Sequence, residues 1–207
     1  MVFVENFRIN DKNYPNVISS EGGSIGMPIR DDLDDKLYRY LIEKLEIQKD
    51  EFIKAEWLCG GMGLPYIYSF FREIILPGYS ENASLRKLGN KKTGRDIFEV
   101  AKMDSDPIAL ATLKCFISLV GLACHEYALV CRTIGGIVLV GNIFFYIREF
   151  LLENYGNWDK NPFLKAFLGN QPDNQEFLKQ VPVFLCTEKE LGIQGCIYYH
   201  NNNKFFP

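Results

Sequence analysis

The sequence predicts an α/β fold in which helices cover a mixed sheet. Extended segments open the chain, a strand–helix–strand–helix order follows, and one long helical stretch is apolar almost all the way round. At 207 residues, 47% of them hydrophobic, the chain is long enough to bury a substantial core.

Val2–Asn10 alternates loosely, stops at the turn cluster Asp11-Lys12-Asn13 and resumes in extended form over Tyr14–Ser20. Pro15 holds its neighbourhood to extended geometry, so the pattern predicts a hairpin. It ends at Glu21-Gly22-Gly23-Ser24, where paired glycines allow a close approach of backbone and ligand. From Asp31 the period changes. Leu33, Leu37, Tyr40, Leu41 and Leu45 mark a helical face, with Asp31, Asp32, Asp34 and Asp35 at its positive end. These acids read more simply as a solvated first turn than as a cation site.

Glu56-Trp-Leu-Cys-Gly-Gly-Met-Gly63 is an apolar run closed by glycines, and Leu64–Leu76 follows as a helix stopped by Pro77-Gly78. Ser80–Arg95 is polar and lysine-bearing, a surface excursion leading to a short helix at Asp96–Lys102. Asp104-Ser-Asp106 caps the longest element, a helix over Pro107–Arg132. Gly135–Val140 and Val181–Cys186 read as buried strands of a parallel sheet, separated by a helix at Phe144–Asn154 and a loop-rich Gly156–Gln180. A helix at Glu190–Cys196 and a polar tail at Asn201–Lys204 close the chain.

Composition limits function. A net charge of -3 carries no electrostatic footprint for nucleic acid. No run of about 18 uncharged apolar residues is present, so no membrane span is expected; Leu119–Cys131 is interrupted by His125 and Glu126. Glu5 and Arg8 are wrong for a signal peptide. The six cysteines (Cys59, Cys115, Cys124, Cys131, Cys186, Cys196) form no CxxC pair and sit in apolar segments. They read as reduced thiols of a cytoplasmic protein, and no metal site is expected from a chain with two histidines.

Two carboxylates stand where extended segments meet glycines: Glu21 before Gly22-Gly23, and Glu56 ahead of Gly60-Gly61. An ionised carboxylate accepts hydrogen bonds from two neighbouring hydroxyls at once, which suits a sugar. Taken alone, each is more simply an exposed turn residue. The Gly60-Gly61-Met62-Gly63 turn ahead of a helix is placed to offer backbone N–H groups to a phosphate, although it lacks both the Walker and the dinucleotide spacing. Gly135, Gly136 and Gly141 bracket a strand and suit either a nucleotide or tight strand–helix packing. No catalytic triad is legible. Cys124 and His125 are adjacent on a helix and point about 100° apart, so His125 reads as a satisfied core histidine.

The order of these pieces carries more than any one of them. Ser20-Glu-Gly-Gly-Ser24, Glu56–Leu64, Ile134-Gly-Gly-Ile-Val-Leu-Val-Gly-Asn142 and Glu190-Leu-Gly-Ile-Gln-Gly195 together resemble the bacterial-type glucokinase family, from roughly Val17 to Tyr199. The resemblance implies an actin-like ATPase (RNase H-like) lobe. Residues 1–207 would form its carboxyl-terminal large lobe, with residues 200–207 as a polar tail. It implies that Glu21 and Glu56 bind sugar hydroxyls. Ser24 stands where the family's Glu-Gly-Gly-His motif has its histidine, so glucose preference is open. Gly60, Gly61 and Gly63 match the family's Ser-Gly-Pro-Gly turn; Gly135, Gly136, Gly141 and Asn142 match the adenosine side. Gly192 and Gly195 match a terminal helix start near the same cleft. The implied cofactors are ATP and Mg²⁺, the implied partner glucose or a related hexose.

The family's Asp-x-Gly-Gly phosphate loop, its catalytic aspartate and its Gly-Thr-Gly loop have no match among these residues, so no catalytic residue is assigned. The expectation is a glucokinase chain lacking its N-terminal lobe and inactive alone; the alternative is a non-catalytic sugar-binding or regulatory module. Apolar surface on Leu64–Leu76 and Phe144–Leu152 is expected to meet that lobe or a second copy in a homodimer.

Overall fold

The alternating start of the chain folds as an antiparallel hairpin, β1 (Val2–Ile9) and β2 (Lys12–Ser19), in register from Val2↔Ser19 to Ile9↔Lys12. Pro15 faces Asn6 in this two-stranded sheet, where both strands are edges and a missing donor is tolerated. The structure is a computed structural model that describes residues 2–9, 12–48, 51–103, 106–154 and 156–202. Part of the predicted hairpin turn, Asp104-Ser105 of the predicted cap and the end of the predicted tail lie outside them. The chain divides into two compact units, Met1–Ala123 and Cys124–Pro207.

In the first unit, α1 (Asp32–Lys44) begins at Asp31, whose carboxylate accepts from the N–H groups of Leu33 and Asp34, both at 3.0 Å. It buries Leu37, Tyr38 and Leu41. Its first turn is not simply solvated as expected. Asp34 is 1% exposed and takes a two-pronged bond from Arg30, Nε at 2.7 Å and Nη2 at 3.0 Å, while Nη1 of Arg30 reaches Ser118 Oγ at 2.8 Å. A buried carboxylate persists when a guanidinium matches both oxygens.

Helix α2 (Ala55–Cys59) and helix α3 (Gly63–Phe70) follow, and α3 runs into a π-helical turn at Phe71–Ile75. The predicted excursion at Ser80–Arg95 contains a helix, α4 (Ala83–Leu88), that buries Leu85 completely. A single apolar anchor in a polar stretch leaves no periodicity to read. Helix α5 (Gly94–Lys102) starts earlier than predicted, at a capping box between Thr93 and Asp96.

Helix α6 (Pro107–Cys131) runs from the first unit into the second. It corrects the expectation from hydropathy: by length and composition α6 is apolar enough to cross a bilayer. Ile108, Leu113, Phe116 and Leu119 are nonetheless fully buried in protein, so it is a core helix. Asp106 organises its start. One carboxylate oxygen accepts from Ile108 and Ala109 N–H at 2.7 and 3.0 Å; the other accepts from Asn82 N–H at 3.0 Å and Tyr68 Oη at 3.3 Å.

In the second unit β3 (Ile137–Leu139) pairs parallel with β4 (Val183–Leu185), Ile137 opposite Val183. Neither strand is buried on both faces as the sequence predicts: Val138 is 58% and Phe184 51% exposed, because the sheet has only these two strands among the described residues. Between them lie α7 (Asn142–Leu152), α8 (Pro162–Leu168) and α9 (Pro172–Leu178). The last two occupy the stretch read as loop. Each has proline in its first turn, and Asn161 caps α8. Asn161 is fully buried and also donates to Leu151 and Glu153 carbonyls at 2.8 Å, tying the end of α7 to α8. His125 has its expected hydrogen-bond partner, Nδ1 lying 2.7 Å from the Phe167 carbonyl, but it is half-buried rather than a core residue. Helix α10 (Leu191–Asn202) extends past the predicted Cys196 and takes in the start of the predicted tail.

All six cysteines are free thiols. Burial pushes the Cys59 and Cys115 thiols up to about 12, leaving them protonated at neutral pH. The thiolate is the reactive form. Iodoacetamide at pH 8 should therefore label the exposed Cys196 in native protein and spare Cys59 and Cys115 until urea unfolds the chain, as read by peptide mass spectrometry. Asp106→Ala strands four donors at once and should cost about 3 kcal/mol in urea unfolding. Asp106→Asn, which keeps one acceptor oxygen, should cost less.

Candidate functional site

Glu21 stands just ahead of a 3₁₀ turn at Gly22–Ser24, with its carbonyl accepting from Ser24 N–H at 2.9 Å. Ser20 Oγ accepts from Gly22 N–H at 3.3 Å and supports the same turn. The chain then runs alongside the segment that leads into α2. Met27 N–H donates to Ile53 at 3.1 Å, Ala55 N–H donates to Ile25 at 2.9 Å, and Gly26 bridges Lys54 in antiparallel fashion. Met27, Ile53 and Ala55 are buried and anchor this pairing apolarly.

The pairing sets the Glu21 turn against the first turn of α2, where Glu56 stands. A Cβ on Gly23 would lie 3.2 Å from Glu56 Cβ and 3.2 Å from its Oε2. The Glu56 carboxylate thus rests beside the turn that carries Glu21. Both glutamates are exposed and Ser24 is half-buried. Lys54, one turn before, holds its ammonium 5.5 Å from the Trp57 ring centre on the same helix start. The two predicted sugar carboxylates, far apart in sequence, are therefore brought to neighbouring backbone segments of one unit.

Gly60, Gly61 and Gly63 form the link between α2 and α3. Gly63 N–H donates to the Gly60 carbonyl at 2.9 Å, so that amide is engaged inside the turn. A side chain at Gly63 would put its Cβ 2.5 Å from the Leu58 carbonyl oxygen and 2.7 Å from that of Trp57, which only glycine avoids. Gly61 has open space at its Cα, but its carbonyl lies 2.7 Å from where a Cβ on Gly94 would stand. Gly94, at the start of α5, thus packs on the glycine link. Sequence reading assigned it no role, although the Thr93–Asp96 capping pattern marks that start.

The remaining predicted residues lie in the second unit. Gly136 has φ +108°, and a Cβ there would meet the Pro182 carbonyl at 2.7 Å and the Phe184 ring at 2.8 Å, so strand packing explains this glycine. Gly141 precedes α7 with φ +130°, and Asn142 is the first residue of that helix. Neither Gly135 nor Gly141 has an atom within 4 Å of a built Cβ. The same holds for Gly192 and Gly195, at and after the start of α10. Among the described residues no group of three or more His, Cys, Asp or Glu gathers as a metal site.

The family model for glucokinase matches residues 5–203. Glucokinase of Nostoc punctiforme is 26% identical over 201 residues, which cover 92% of this chain and 56% of that protein. Among solved structures, glucokinase from an Antarctic psychrotroph is similar with a TM-score of 0.68 at 25% identity, over 91% of this chain and 52% of that one. Glucokinase from Balamuthia mandrillaris, in complex with glucose, gives a TM-score of 0.74 at 18% identity, covering 91% and 48%, a likeness of fold. The chain spans about half the length of the curated relatives it matches.

Gly63→Ala should destabilise the first unit by about 2 kcal/mol in urea unfolding, because backbone carbonyls cannot yield as a side chain can. Gly61→Ala, with open space at its Cα, should leave stability unchanged by the same measurement.

Proposed function

This chain belongs to the glucokinase family, and we propose that it is the sugar-holding large lobe of an ATP-dependent hexose kinase of the cytoplasm. The substrate is glucose and the product glucose 6-phosphate. The observation that carries this reading is the seating of Glu56 against the Gly22–Ser24 turn, next to Glu21. Two exposed carboxylates on adjoining backbone segments supply acceptors for several hydroxyls of one polyol. Ser24, with a short hydroxyl, adds a weaker contact than the family's histidine and relaxes the demand for glucose over related hexoses.

Nucleotide contacts are assigned by resemblance to Gly60, Gly61 and Gly63 in the first unit and to Gly135, Gly136, Gly141 and Asn142 in the second. The open space at Gly61 and Gly135, neither of which has a positive φ, supports this, since a ligand approaches backbone closely where no side chain intervenes. Magnesium would arrive with the ATP phosphates, whose charge it offsets during transfer. No residue of this chain serves as the base that orients the sugar hydroxyl in this reading. In the complete enzyme it comes from the lobe that carries the phosphate loop.

A coupled assay on the complete enzyme should show glucose-dependent ATP consumption. Glu21→Ala and Glu56→Ala should each raise the glucose KM about 10- to 100-fold, the range for losing charge-assisted hydrogen bonds, with the KM for ATP unchanged. Unaltered glucose kinetics in both variants would refute the assignment. Saturable glucose binding with no ATP turnover for any hexose would instead establish a non-catalytic sugar-binding module.

A further inference from the structure

The glycine pair after Glu21 contains one residue whose identity is not explained by its own backbone. Gly23 sits in the 3₁₀ turn Gly22–Ser24 without a positive φ, so an L side chain meets no conformational objection there. What a side chain meets is Glu56. The nearest atoms to a Cβ on Gly23 all belong to that one residue: Cβ at 3.2 Å, Oε2 at 3.2 Å and Cδ at 3.9 Å.

These contacts differ in how far they can yield. Glu56 Cβ is fixed to α2, whose start is held by the Ala55 N–H bond to Ile25 and by buried Ala55 and Leu58. The carboxylate is the movable end. An added methyl group at position 23 would therefore displace the Glu56 carboxylate, and the contact with the fixed Glu56 Cβ would push the Gly22–Ser24 turn back by a small further amount.

We infer that Gly23 is a positioning residue for the sugar site: its bare Cα is the seat on which the Glu56 carboxylate rests, and it thereby fixes where that carboxylate stands relative to Glu21. The inference rests on the sugar-binding role proposed above for Glu56. Gly23 touches no substrate and acts through Glu56 alone. It also separates the two glycines by function, since Gly22 is buried inside the turn while Gly23 faces its partner carboxylate.

The test is a double-mutant cycle in the complete enzyme, with D-glucose as the probe and titration calorimetry as the measurement. Gly23→Ala should weaken glucose binding about tenfold, and Glu56→Ala at least as much. In the Glu56→Ala background, where only the Cβ contact remains, Gly23→Ala should produce a markedly smaller loss than in the wild type. Gly78→Ala, an alanine introduced where no atom lies within 4 Å, should leave glucose binding as in the wild type. Binding by Gly23→Ala equal to wild type, or the same fold-loss in both backgrounds, overturns the positioning role. Should Gly23→Ala fail to fold, the wild-type chain still decides the matter. A nuclear Overhauser contact between Gly23 Hα and Glu56 Hγ is required, and its absence overturns the inference. Absence of saturable glucose binding in the wild type refutes the sugar-binding reading itself. That outcome is distinct, because it needs no variant to reveal it.

Discussion

A short antiparallel pairing, Ile25–Met27 against Ile53–Ala55, is the constraint on which the candidate site depends. Its two flanking hydrogen bonds contribute only about 1 kcal/mol each. The burial of Met27, Ile53, Ala55 and Leu58 around them supplies the larger share of the attachment. Through this pairing the turn after β2 is set against the first turn of α2. Without it, Glu21 and Glu56 would be two unrelated surface acids.

Among the described residues, three of the four buried polar ones close the end of an element, while Thr112, inside α6, returns its hydroxyl to the Ile108 carbonyl at 2.7 Å. Asp106 caps α6 while holding Asn82 and Tyr68; Asn161 caps α8 while holding the end of α7; Asp34 locks Arg30 across the start of α1. A buried acceptor is tolerated only when its bonds are complete, so each of these also fixes a junction between elements.

The glycines separate into those the fold requires and those whose neighbours leave room for a side chain. Gly63 and Gly136 are enforced by carbonyl oxygens within 3 Å of a side chain's first atom. Gly141 is required by its positive φ of +130°, whereas Gly61 and Gly135 face open space and Gly23 faces a single carboxylate. Spacing alone gives these residues the same appearance. What distinguishes them is the set of neighbours each acquires from distant parts of the chain.

Much of the architecture was legible from local pattern. Alternation with a turn cluster announced the β1–β2 hairpin, the change of period at Asp31 announced α1, and apolar positions on every side announced α6 as a core helix. Short helices were not legible. Helices α4, α8 and α9 have too few residues to establish a period, and their stabilising contacts, such as Leu85 in the core, come from elsewhere in the chain. Exposure of β3 and β4 was also hidden, since how many strands flank a strand is not written within it. By itself the sequence determined the secondary-structure plan, the two glutamates and the four glycine-bearing motifs whose order marks the family, because caps, turns and periodicity act within a few residues. Only the tertiary structure decided that the Glu56 carboxylate rests on Gly23, because that contact depends on backbone pairing between segments with a whole helix, α1, between them.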